Sequence, residues 1–349
     1  MKYKRLPPIA AWNTWSGAQF STYRLGGPLS QAFCPMNQDQ AVALLDWLCE
    51  TSAPNLPEFT VLGWGSNSVI ADSGIQHPCL IFRKLTEIEK IDATHLRFGA
   101  GVHLAKVSQT AFDMGLTGCE FMVGIPGTMG GAVRMNAGAT GQETGSLVSH
   151  VTLYNLTTGQ LETWSAAQLA FSYRHSTIEP GHHVVLSVQL TLAQGDPQAI
   201  QALMAKNRQF RKQHHPTEPN GGSVFRNPVT ANAAPSADAS GTFATSLTPN
   251  AAPSADALGA FATKTAGQML DELGAKSWQE GGVRVSPKHA NFIINTGGGS
   301  SVEVLRLMRR MQQAVQDAYG IHLRPENLFL GDASEEEMAL WAQLTQKNT

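Results

Sequence analysis

Three glycine-rich stretches and three polar side chains are where this 349-residue chain could do chemistry. The first stretch is Gly63-Trp64-Gly65-Ser66-Asn67-Ser68, directly after an apolar run at 59–62. Two glycines let a backbone approach a ligand, and Ser66, Asn67 and Ser68 supply donors, a set that could cradle a pyrophosphate. The full dinucleotide fingerprint fails, because position 68 is Ser and 69–74 reads as strand and turn instead of helix. An ordinary glycine-rich turn fits this stretch equally well. The second stretch, 124–139, holds Pro126, Gly127, Thr128, Gly130, Gly131, Asn136 and Gly138, too many glycines for simple core packing. The expectation is that Gly127, Gly130 and Gly131 open a short helix and turn free N–H groups toward an anion, while Gly138 extends a flat backbone surface. Two such loops suit a large planar cofactor with a pyrophosphate better than a small anion. In the third stretch, 220–228, Ser223 follows two glycines that leave its hydroxyl accessible. It is not a GxSxG elbow, so hydrolase chemistry is not indicated, and a turn residue is the plain alternative. Arg174 and Glu326 complete the polar set; spacing alone does not join them to Ser223.

The elements that must position these groups are short. Helical periodicity marks 37–51, with Asn37 as cap, then 102–114, 197–213, 266–273 and 301–319, the last an amphipathic helix stopped by Gly320. Strands are expected at 59–63, 69–72, 80–83, 87–92, 95–99, 150–154, 183–192, 282–286 and 290–295, with one short helix inside 115–145. Residues 1–19 read as an irregular arm, 321–330 as extended, and Ser334 as the cap of a final helix whose first turn holds Glu335, Glu336 and Glu337. Many short strands with isolated helices indicate α+β domains, not βαβ repetition.

Composition narrows the function classes. Forty-two per cent of residues are hydrophobic and 15% charged, enough for several cores. A net charge of −2 gives no field to attract nucleic acid. Four cysteines, Cys34, Cys49, Cys79 and Cys119, form no CxxC pair and read as reduced thiols. No apolar run is long enough to span a membrane, and Pro7 and Pro8 interrupt the only apolar stretch near the start. Residues 229–263 stand apart: 12 alanines, two aspartates, no basic residue, and a tandem repeat in which 232–245 and 250–263 agree at twelve of fourteen positions. This composition cannot bury enough to fold alone and reads as an inserted surface loop.

In order along the chain, TYRLGGP at 22–28, GWGSN at 63–67, the whole of 124–139, YRHS at 173–176, GSVFRNP at 222–228, VSPKHANF at 285–292 and Pro325-Glu326 form a pattern. The chain thereby resembles the UDP-N-acetylenolpyruvoylglucosamine reductases, flavoenzymes that make UDP-N-acetylmuramate for peptidoglycan, in the subtype without an extra Tyr-bearing loop before the Ser motif. The resemblance implies an α+β fold with a two-part FAD-binding region of the PCMH/vanillyl-alcohol-oxidase type and a C-terminal α+β substrate domain. Its implied divisions are the arm 1–19, FAD-binding subdomains 20–88 and 89–214, a substrate domain 215–331 carrying the insertion, and a last helix in 332–349. It implies FAD held without a covalent bond by Gly63, Gly65, Ser66, Asn67, Ser68, Pro126, Gly127, Thr128, Gly130, Gly131, Asn136 and Gly138. No His or Cys in the Gly63 loop offers an attachment point. NADPH is the implied hydride donor, Ser223 the proton donor, and Arg174 and Glu326 the pair at the enolpyruvyl group. Tyr173, Asn227 and His289 fall where the family contacts its sugar-nucleotide substrate. No metal, nucleic acid or membrane is implied, and a cytoplasmic monomer is expected.

Two departures stand out. The family usually has Val and then a basic residue after the Glu, where this chain has Asn327-Leu328-Phe329, and the insertion begins right after Asn227-Pro228. Another flavin oxidase of the same fold has no need for the Ser motif or Pro325-Glu326. A flavin-binding homologue without activity has no reason to keep Arg174, Ser223 and Glu326 together.

Loop length costs little, roughly 0.6 kcal/mol of closure entropy per doubling. Replacing most of 229–263 with a short linker should therefore leave a protein that still folds and takes up flavin. Loss of cooperative melting in that variant would place the segment in a core.

Overall fold

The computed structural model describes residues 7–12, 14–228 and 264–346. The inserted repeat at 229–263 lies outside the described residues, so the surface-loop reading rests on sequence alone. The chain divides into two compact units: residues 1–15, 29–64 and 76–211 form one, and residues 16–28, 65–75 and 212–349 the other.

The first unit is built on a five-stranded antiparallel sheet ordered Gln160–Ser165, Val148–Asn155, His183–Thr191, His95–Gly99 and Ile88–Lys90. Alternation decides which face is buried. Leu96 and Phe98 lie opposite Leu190 and Val188, and Val151 faces Val188 on the other flank; all five side chains are buried. The helix Leu104–Asp113 adds Leu104, Val107 and Ala111 to the same core. A three-stranded sheet of Leu29–Phe33, Ile75–Ile81 and Thr60–Leu62 adjoins the helix Gln38–Ser52, whose cap Asn37 accepts the Gln40 N–H at 3.0 Å. The strand Gln160–Ser165 was not legible in the sequence. It is an edge strand with no buried residue, so it lacks the apolar alternation that marks the others.

The second unit centres on the helix Ser301–Tyr319. Val304, Leu305, Leu307, Met308, Met311 and Val315 are all buried, each worth roughly 1.5–3 kcal/mol of apolar burial. Ser300 and Glu303 form a capping box at its start, and Gly320 ends it in the left-handed region at φ 68°. The short antiparallel strands Gln279–Glu280, Val283–Val285 and Ile293–Asn295 and the helices Ala266–Glu272 and Glu335–Thr345 pack around it. The strand Leu328–Leu330 pairs in parallel with Ser68–Ile70. The expected irregular arm has more order than the sequence indicated. Trp12 bridges Ala32, Ser16 bridges Pro28, and Ser16 and Gln19 box the short helix Gly17–Phe20. A four-residue helix is too short to show a period.

Glu337 closes the last helix onto the central one. Its side chain is 2% exposed; Ser301 donates its hydroxyl to Oε1, and the Ser334 N–H and hydroxyl donate to Oε2 at 2.8 and 2.9 Å. Burial pushes the carboxyl pKa up, but these hydrogen bonds outweigh it and hold it below the ordinary value. A depressed carboxyl pKa adds stability that is complete above the unfolded value of about 4.3 and is lost as pH falls through the folded value. Glu337→Gln should cost about 1–3 kcal/mol at pH 7. Urea midpoints measured from pH 7 down to pH 3 should fall less steeply in the variant than in the parent.

Candidate active site

In the first unit the two glycine-rich loops meet. A Cβ on Gly63 would lie 2.5 Å from Thr128 Oγ1, so only glycine lets these strands touch. Arg83 Nε donates to the Gly63 carbonyl at 2.9 Å, and its guanidinium lies 4.6 Å from the Trp64 ring centroid. The helix Met129–Arg134 does open inside the second loop, as expected. Its first donors are already used: Met129 N–H goes to the Val102 carbonyl and Gly130 N–H to Ala100, both at 2.9 Å. Gly130 is thus a packing glycine against Ala100, not an anion donor. Gly138 likewise makes room for the Gln142 carbonyl, 2.4 Å from where its Cβ would be, instead of extending a flat surface. The Gly131 N–H has no backbone acceptor among the described residues, and a Cβ there would approach only Thr128 Oγ1, at 3.8 Å. Gly127 sits at φ 134°, reachable only without a side chain.

Asn136 has a different role from the one expected. It is 1% exposed; its amide nitrogen donates to Glu143 Oε2 at 2.8 Å and to the Ser172 carbonyl at 2.9 Å, and its oxygen accepts the Gly145 N–H at 2.8 Å. The side chain is committed to the protein and ties the second loop to the Arg174 turn. That turn is closed by reciprocal backbone bonds between Ser172 and His175, 3.0 and 3.1 Å long, with Arg174 in the left-handed region at φ 55°. Ser176 Oγ anchors it by donating to the Arg134 carbonyl at 2.8 Å, and the Arg174 guanidinium lies 4.9 Å from the Tyr173 ring centroid.

Arg211 is the residue sequence reasoning missed. It ends the face of the helix Pro197–His214 that presents Ile200, Met204 and Asn207, and its Cδ occupies the space 2.3 Å from a Cβ on Gly124. Burial, then the neighbouring Arg174, push its pKa down to about 10, so it stays charged at neutral pH. Among the described residues no carboxylate pairs with it. This desolvated cation beside a second cation would favour an anion. Within RKQHH at 211–215 it looks like one more solvated base, and no local signal sets it apart.

The second unit assembles the other half of the candidates. Gly65 has φ 59°, and a Cβ on it would lie 2.0 Å from the Phe20 carbonyl. The Ser66 carbonyl is 3.6 Å from a Cβ on Gly222, and Ser68 is buried, its carbonyl accepting the Ser21 hydroxyl at 3.3 Å. Asn67 donates its amide to the Glu326 carbonyl at 2.8 Å. Glu326 N–H in turn donates to the Val224 carbonyl at 2.8 Å. Ser223 and Glu326, far apart in sequence, are therefore neighbours here, both beside the Asn67 loop. Gly221 is packed on Tyr23 and Gly222 turns at φ 79°, which explains the two glycines before Ser223. Asn227 Oδ1 accepts the Ala266 N–H at 3.1 Å, and a Cβ on Gly267 would lie 2.8 Å from His289 Cε1, so both substrate candidates adjoin the start of the helix Ala266–Glu272. Burial pushes the His289 pKa down to about 4. Its Nδ1 accepts the Asn291 N–H at 3.1 Å, which leaves Nε2 as the protonated nitrogen and a neutral donor.

Family models match most of the described chain: a UDP-N-acetylenolpyruvoylglucosamine reductase C-terminal domain over residues 213–330, and an FAD binding domain over 29–164. The reductase of that name from Synechococcus sp. is 35% identical over 319 residues, covering 90% of this chain and 91% of the relative. The chain belongs to the UDP-N-acetylenolpyruvoylglucosamine reductase family. The Limosilactobacillus fermentum reductase is 31% identical over 318 residues, covering 91% of this chain and 93% of the relative. The crystal structure of the Thermus caldophilus reductase superimposes with a TM-score of 0.69 at 26% identity, covering 91% of this chain and 98% of that one. The α+β fold class with an FAD-binding region follows from these matches. FAD is the family's cofactor, and the residues fit it. The Gly131 N–H, with the space beside it, is the donor that the second loop leaves for such a group, and the Arg83 guanidinium is the cation beside the Gly63 loop. Among the described residues there is no cluster of metal ligands, and no helix is long and apolar enough to cross a membrane. The four cysteines are free.

Removing Asn136 tests the link it makes. Asn136→Ala should lower stability by about 1–3 kcal/mol, because Glu143, Ser172 and Gly145 lose a buried partner. Substrate turnover should fall while the protein still melts cooperatively; unchanged turnover would show that the Arg174 turn holds itself.

Proposed function

We propose that Arg174, Ser223 and Glu326 carry the chemistry of this NADPH-dependent reductase. The enzyme reduces the enolpyruvyl group of UDP-N-acetylglucosamine enolpyruvate to give UDP-N-acetylmuramate, a peptidoglycan precursor. The observation that carries the assignment is the backbone junction that sets Ser223 beside Glu326 and the Asn67 loop. FAD, once bound, would supply hydride transfer between NADPH and the terminal carbon of the enolpyruvyl double bond. Negative charge then develops on the neighbouring carbon and spreads into the carboxylate. Arg174, held out by its left-handed turn, binds that carboxylate and stabilises the charge; losing such a group typically costs on the order of 10²–10³ in rate. Ser223 gives its hydroxyl proton to the same carbon, which completes the addition of one hydride and one proton across the double bond. A serine is a weak acid, so it serves only against a strongly basic carbon at close range. Glu326 orients the enolpyruvyl group. Arg211 supplies a second positive charge for an anionic ligand, and Tyr173, Asn227 and neutral His289 contact the sugar nucleotide.

We also infer the functional divisions: FAD-binding subdomains over 20–88 and 89–214, and a substrate domain over 215–331. The binding partners are small molecules. A monomer in the cytoplasm is the arrangement this reading favours.

Ser223 separates the two half-reactions. Its proton is needed only after hydride has reached the substrate, so Ser223→Ala should leave flavin bleaching by NADPH nearly intact. Return of colour with the enolpyruvyl substrate under anaerobic conditions should slow by about 10²–10⁴-fold, the usual worth of a general acid. Ser223→Cys, which keeps a donor, should recover part of that rate. Equal slowing of both steps in stopped-flow traces would remove Ser223 from the mechanism.

A further inference from the structure

We infer that Asn327 is a positioning residue for the proton-donor segment, a reading that rests on the role proposed for Ser223. Its side chain is 1% exposed. The amide nitrogen has three oxygens within reach: the Gly221 carbonyl at 2.7 Å, the Ser223 carbonyl at 3.1 Å and Asn67 Oδ1 at 3.1 Å. The amide oxygen accepts the Tyr23 hydroxyl at 3.1 Å. Tyr23 is fully buried, and burial pushes its pKa up, so it remains a donor at every working pH. These four neighbours fix which way the amide points. Flipped, it would set its oxygen against three others with no proton between them.

One amide group therefore holds together four segments of the second unit. Tyr23 belongs to the 22–28 stretch, Asn67 to the first glycine-rich loop, and Gly221 and Ser223 to the third. Asn327 itself follows Glu326, whose carbonyl takes the Asn67 amide at 2.8 Å and whose N–H goes to Val224. The Ser223 carbonyl is held by Asn327, and the next residue, Val224, by Glu326 and Asn291 through its backbone. An apolar residue at the Asn327 position would fill space but give nothing to Gly221, Ser223 or Asn67, so the amide makes hydrogen bonds that such a residue could not.

The test uses Asn327→Asp, which keeps the shape but loses both amide hydrogens, and Asn327→Leu, which fills the space without polar atoms. In the flavin-loaded enzyme, either change should slow reoxidation by the enolpyruvyl substrate at least about tenfold and flavin reduction by NADPH less than about threefold. In the Ser223→Ala background, Asn327→Leu should slow reoxidation by less than about threefold more, because two residues acting through one group are not additive. Independently of flavin, amide exchange at Glu326 and Val224 should quicken at least about tenfold in native buffer. Should both variants fail to fold, Tyr23→Phe, which removes only the hydroxyl, should shift the same readouts in the same direction by less. Equal slowing of both half-reactions, full additivity with Ser223→Ala, or unchanged exchange would overturn the proposal. If Ser223→Ala itself leaves reoxidation unchanged, the role of Ser223 fails instead, and the exchange measurement still decides whether Asn327 holds the segment.

Discussion

Backbone pressed on backbone, with no side chain between, is the constraint on which the second unit depends. A Cβ on Gly65 would lie 2.0 Å from the Phe20 carbonyl, one on Gly27 2.0 Å from the Asp72 carbonyl, and one on Gly74 1.9 Å from the Pro28 carbonyl. These contacts lock the 22–28 stretch onto the 65–75 stretch. The lock sets Tyr23 in the core, and Tyr23 is the surface on which Gly221 packs. Ser223 follows two residues later. The position of Ser223 thus traces back to the close packing of three glycines. Any side chain at those positions has no room, and the strand pair Leu328–Leu330 with Ser68–Ile70 that carries Glu326 into place would have to move with them.

The same logic separates what the sequence could say from what it could not. Local period and caps specify the helix Ser301–Tyr319 and its ends, because apolar spacing, Ser300 with Glu303 and Gly320 all act within a few residues. The glycine clusters were visible as clusters, but their division of labour was not. Gly130 and Gly138 serve packing and Gly131 keeps its outer side open, a difference set by Ala100 and Gln142, partners distant or turned back in the chain. Asn67 and Asn136 were visible as polar residues in ligand-like loops. Their side chains are spent on Glu326 and on Glu143, Ser172 and Gly145. Spacing could never join Ser223 to Glu326, since the junction is a non-local backbone hydrogen bond; only resemblance to a family supplied it. Arg211 had no signal at all, because burial of a charge is a property of the packed helix face and not of the residues beside it.

Charge is distributed between the units by chemistry. The first unit presents cations: Arg174 on its strained turn, Arg211 desolvated beside it and Arg83 on the Trp64 ring. A buried guanidinium beside another is costly in the empty protein, and an anion that binds there recovers the cost, so these charges add affinity for a carboxylate or phosphate that surface lysines could not match. The second unit presents neutral donors: Ser223, and His289 held neutral by burial with its proton on Nε2. Arg174 is set by Asn136 and Ser176, and Ser223 by Tyr23, Asn67 and Glu326, and no residue among these partners is shared. A substitution that loosens one set should therefore leave the hydrogen bonds of the other intact.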